Sequence, residues 1–184
     1  MHGPMTSGWL LMALCAATGA YCLVRMRSCT GDAREEAGGE ALMGFGMAAM
    51  AVPAAVLTLP SWHWVVYAAV FGVAALRAIW ALRTGRHHAH HLVACLAMVY
   101  MAAAMAGPAG PHASHAPTGV PVLTAALVVY FAAYVLRTGL RLVPVVAPAG
   151  APGPAASARG APPELAPACR VAMGMAMLAM LLTL

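Results

Sequence analysis

The sequence predicts an all-α membrane protein, a polytopic bundle of about six transmembrane helices, and three observations predict it. Hydrophobic residues make up 62% of the 184-residue chain and charged residues only 8%, whereas a soluble domain carries roughly 25% charged residues. The mean hydropathy is +0.81. The apolar residues also gather in runs of about the 17–25 residues that a helix needs to cross a bilayer. So few charges cannot clothe a particle of this size in water, and the surrounding solvent is the lipid bilayer. The formal charge of +5 bears on orientation in that bilayer, and no nucleic-acid partner is expected.

Six spans follow in order. The first covers residues 8–24. No positively charged segment precedes it and neither Cys15 nor Cys22 stands in a lipobox, so it reads as a retained helix rather than a signal peptide. Thr30-Gly31-Asp32 breaks the chain before the second span, 41–59, and Pro60-Ser61 before the third, 62–82. The fourth, 90–107, stops at Gly107-Pro108; the fifth covers 119–136 and the sixth 168–184. Residues 144–167 hold seven Pro in 24 residues, the composition of a flexible linker, here cytoplasmic. The whole chain, 1–184, reads as one integral membrane domain without internal repeats. Its five Cys are odd in number and form no CxxC, so no disulfide framework is legible.

Orientation follows from the basic residues, all ten of which are Arg. Arg25, Arg27 and Arg34 follow span one. Arg77, Arg83 and Arg86 mark the end of span three, and Arg137, Arg141, Arg159 and Arg170 lie between the cores of spans five and six. The remaining connections and both ends carry none. The positive-inside rule makes the Arg-bearing side cytoplasmic and places both termini outside, in a multi-pass protein of the plasma membrane.

Chemistry is suggested by 14 Met and 8 His. Positions about 100° apart along a helix recur on one face at i, i+3, i+4 and i+7. Span two carries Glu40, Met43, Met47 and Met50 on such a face. Span four carries His87, His91, Met98, Met101 and Met105, with His88 in the cluster and His90 at its edge. Span six carries Met173, Met177 and Met180, with Met175 pointing elsewhere; Met5, Met12, Cys15 and Cys22 make a weaker version on span one. A thioether is soft and neutral, so it suits Cu(I) or Ag(I) without placing a bare anion in lipid. The ladder would rise about 15 Å along span two and about 21 Å from His91 to Met105. Glu40 and the His87–His91 cluster would form a cytoplasmic mouth, and Pro53 would free the Ala49 carbonyl one turn from Met50. Spans two and four are then expected to be neighbours, with Met47 facing Met98. Outside, Met1, His2, Met5, His63, His112 and His115 are weaker candidates, and no carboxylate there suits Ca²⁺ or Mg²⁺.

Each feature also has a plainer account. Met fills gaps in helix packing, the His cluster can meet anionic headgroups, and Glu40 can face its own helix dipole. Ala48-Ala49 and Ala102–Ala104 would permit close helix contacts with a partner or a second copy. The principal reading is therefore a membrane protein that binds or handles a soft metal, copper foremost. The alternative is a non-catalytic membrane scaffold or complex subunit without metal. A b-type haem protein ranks third, because His91 has no axial partner at its depth on another span. An enzymatic role is not expected: the spans hold no Asp and no Ser/His/acid constellation, and no phosphate-binding loop supports a pump.

The segments EALMGFGMAAMAVP on span two and HHAHHLVACLAMVYM on span four resemble a domain-of-unknown-function family of actinobacterial multi-pass membrane proteins. In that family an acidic or His residue precedes M-x3-M-x2-M on one helix, and a His cluster precedes A-M-V-x-M on another. The matching positions are Glu40, Met43, Met47, Met50 and His87, His88, His91, Met98, Met101. The resemblance spans about residues 5–184 and implies a five- or six-helix membrane fold without an assigned activity.

Overall fold

The computed structural model describes residues 4–52, 62–82, 89–106, 119–142 and 165–184, and these form six α-helices with no strand among the described residues. They are α1 (Pro4–Ser28), α2 (Asp32–Met50), α3 (His63–Leu82), α4 (Ala89–Met105), α5 (Pro121–Leu142) and α6 (Leu165–Leu181). Each expected span has its helix. The largest shift of a boundary is at α2, which starts at Asp32 and so carries Asp32, Glu35, Glu36 and Glu40 ahead of its Met residues. Acidic side chains in a first turn complement the positive end of the helix dipole, which is why a charged segment extends the helix. Pro53, expected to kink this span, lies outside the described residues, as does most of the Pro-rich linker.

Among the described residues three helices are long and apolar enough to cross a membrane: Thr6–Ser28, His63–Leu82 and Pro121–Arg141. The apolar α4 and α6 are shorter, at 17 residues each. Local chemistry suits such surroundings. Pro4 and Pro121 sit at first helical positions, where a missing N–H costs nothing. In mid-α1 the Thr18 hydroxyl turns back to the Leu14 and Cys15 carbonyls, 2.9 Å from each, so no polar group is left bare.

The chain gathers into two compact units. The first unites α1, α2, the later part of α5 and most of α6. There α1 and α2 pack as a helical hairpin. Gly31 makes the turn with φ +58°, a conformation that costs little only for glycine. Its carbonyl accepts from the N–H groups of Arg34 and Glu35, starting α2. Farther along, Gly19 and Gly44 let the two backbones touch: a Cβ on Gly44 would lie 2.7 Å from the Gly19 Cα. Without a hydrophobic drive in lipid, such close backbone approach is what holds helices together.

The second unit holds α3, α4, the start of α5 and the end of α6. Here α3 packs on α4. Tyr100 of α4 bonds Thr124 of α5, oxygen to oxygen at 2.6 Å, and its hydroxyl donates to the Val120 carbonyl at 3.3 Å.

Candidate functional site

Two features stand out, a charge cluster around one buried carboxylate and the burial of sulfur. The cluster centres on Glu40, 8% exposed. Its Oε1 accepts from Arg170 Nε of α6 at 2.5 Å, and its Oε2 accepts from Arg25 Nη1 of α1 at 3.3 Å and from the Cys22 thiol at 3.5 Å. Arg170 also reaches Glu36 through Nη2, at 2.6 Å. Two arginines and two glutamates sum to zero charge, the condition under which ionised groups are tolerated inside a protein. The sequence offers Glu40 as a metal ligand at a mouth. In the structure both of its oxygens are committed to guanidinium groups, and it ties α1, α2 and α6 together.

The sulfur lining emerges from which large side chains are buried. Among the described residues, Met43, Met47, Met98, Met101, Met173, Met177 and Met180 are buried, with Cys15, Cys22 and Cys95. Phe71, Phe131 and Leu181 complete the large buried hydrophobics. No other described Leu, Val or Ile side chain is buried; Leu10, Leu14, Leu42, Val65, Leu76, Ile79, Leu96 and Leu136 are exposed. In each unit aliphatic side chains face outward while sulfur and alanine are buried, the reverse of a water-soluble core, and this suits hydrocarbon outside.

The expected ligands fall into three groups. Met43 and Met47 of α2, Met98 and Met101 of α4 and the α6 trio are buried, while Met175 is 54% exposed, as its place off the stripe requires. Met50, His90 and His91 are half-buried, and Met105 is at the surface. His87 and His88 lie outside the described residues. His63 packs on Trp64, ring centres 4.0 Å apart. Among the described residues no three or more His, Cys, Asp and Glu side chains gather to hold a metal, so thioethers would have to supply part of any coordination shell there. Reading the sequence missed Arg25, Arg170 and Cys22 as partners of Glu40. The usable signal was an Arg near the end of one span and another near the start of a third, each able to reach an acid at the head of the second.

A family described as a domain of unknown function, DUF5134, matches residues 32–184. The chain belongs to the DUF5134 family. No curated protein and no solved structure matches it. The matched DUF5134 segment begins with the first residue of α2, so Cys22 and Arg25 come from a helix ahead of the match. Arg170 and Glu36, by contrast, lie within it.

Proposed function

We propose that this DUF5134 protein is a multi-pass plasma-membrane protein that binds or handles a soft monovalent metal, copper foremost, on the buried Met faces of α2, α4 and α6. The observation that carries this reading is the selective burial of sulfur. If Met served only as one more apolar residue, Leu and Val would share the interior with it; among the described residues Leu181 alone of the Leu, Val and Ile side chains is buried. Thioethers keep a low-dielectric interior free of bare anions while offering a soft ion a ligand. The spacing Glu40, Met43, Met47 on α2 repeats as Arg170, Met173, Met177 on α6, and the Glu40–Arg170 ion pair ties the heads of these two series. In a six-span topology with all Arg inside, both helices run outward, which brings Met43 level with Met173 and Met47 level with Met177.

The test uses leucine as a sulfur-free replacement of similar volume, a swap that costs under about 1.5 kcal/mol in a core. Protein purified from copper-supplemented cells is compared with a variant carrying Met43→Leu, Met47→Leu, Met173→Leu and Met177→Leu. The variant should fold and lose most of its copper. Equal copper in both proteins overturns this reading, and copper in neither leaves the metal-free scaffold or subunit.

A further inference from the structure

We propose that His91, Cys95 and Met98 form a three-coordinate Cu(I) site on α4, a nitrogen–sulfur site that begins the ladder at that end of the helix. This deepens the soft-metal reading and rests on it, but it stands on its own geometry. His91 Nε2 lies 3.7 Å from Cys95 Sγ, one helical turn away. Nitrogen and sulfur donors bind a soft or borderline ion at about 2.0 and 2.3 Å. Held at about 120° around one ion, those two atoms stand about 3.7 Å apart. The pair is therefore already spaced as two ligands of a trigonal centre. Met98 follows at i+7 from the His and i+3 from the Cys, on the same face, and it is fully buried like Cys95. His91 is half-buried, so the donors run from an accessible imidazole to a dry interior.

Charge selects the ion. On binding, the Cys95 Sγ–H bond breaks, its proton leaves to solvent, and a copper–sulfur bond forms without change of oxidation state. One thiolate with one monovalent cation is neutral, and His91 and Met98 add no charge. A divalent ion would leave a net positive charge beside apolar helices, which is costly without a counter-ion. The site therefore takes Cu(I), or Ag(I) as its redox-inert stand-in. Met101, buried on the next turn, is placed to receive the ion from Met98.

The experiment loads the intact, metal-free chain in detergent with Cu(I) under anaerobic conditions. X-ray absorption should show one nitrogen scatterer with sulfur, and alkylation mapped by mass spectrometry should show Cys95 protected by copper in the wild-type protein. Cys95→Ala and His91→Gln should each weaken binding at this site by at least tenfold, with unchanged helical circular dichroism. The wild-type protection assay needs no variant, so misfolding of a mutant cannot mask the answer. A sulfur-only spectrum with Cys95 alkylated equally with and without copper overturns the site. If in addition the α2/α6 leucine variant loses copper, the broader reading survives that loss. If the site loads in vitro while the α2/α6 leucine variant and the wild-type protein carry equal copper from cells, the site stands and the broader reading falls.

Discussion

Glu40 and Gly44, one turn apart on α2, do the most to position their helix. Glu40 accepts from Arg25 and Arg170 on two other helices. Glu40→Ala would take the carboxylate from Arg25 and leave Arg170 with Glu36. Breaking a fully buried pair costs about 3–5 kcal/mol; with the Arg170 side chain 32% exposed, about 2–3 kcal/mol is expected here. Thermal unfolding in detergent, followed by circular dichroism, should show the Glu40→Ala protein melting well below wild type. Gly44 acts through what it lacks. A Cβ there would press on the Gly19 backbone, and backbone cannot yield as a flexible side chain can. Gly44→Ala should cost about 1–3 kcal/mol, read by the same melt, whereas Gly72→Ala should cost far less because nothing lies within 4 Å of its added Cβ.

At the scale of the helix, the pattern of burial separates sulfur from other apolar residues. The Met stripes are legible because a period of 3.6 residues shows directly in the sequence, and the same period puts Met175, which is exposed, off the face of the buried Met173, Met177 and Met180. The extent of α2 was not legible. Hydropathy begins that span at residue 41, but Asp32 and Glu35 complement the dipole of the longer helix and Glu36 pairs with Arg170 of α6, which an apolar run cannot reveal. The Glu40 network was hidden for a related reason: Arg25 and Arg170 are 145 residues apart in the chain, and only folding brings them to one carboxylate. Cys95 escaped notice as one Cys among five, although His-x3-Cys places both side chains on one face. An element-scale prediction follows from the α4–α5 contact. Tyr100→Phe removes a hydroxyl bonded to Thr124 and Val120 and should cost about 1 kcal/mol, a small drop in the melting temperature.

For the whole molecule, the proposed topology turns on the distribution of Arg. If all six helices cross the membrane with every Arg on the cytoplasmic side, as proposed, both ends of the chain lie outside. A fluorescent-protein fusion to the C-terminus should stay dark and an alkaline phosphatase fusion should be active, with the reverse at residue 34 or 141. Active phosphatase at residue 34 would invert the topology and with it the proposed cytoplasmic mouth. The Arg25–Glu40–Arg170 cluster joins the last turns of α1, the middle of α2 and the early part of α6. That cluster also explains how Glu40 is kept inside, paired with two arginines.

The central claim is that the buried sulfur holds a soft metal, and metal content tests it most directly. The wild-type chain, purified in detergent from cells grown with added copper and freed of loosely bound ions, is assayed for copper per polypeptide. The account predicts a ratio of about one or more, with copper in the Cu(I) state bound through sulfur. Protein that is fully folded yet emerges without copper from such cells would contradict it.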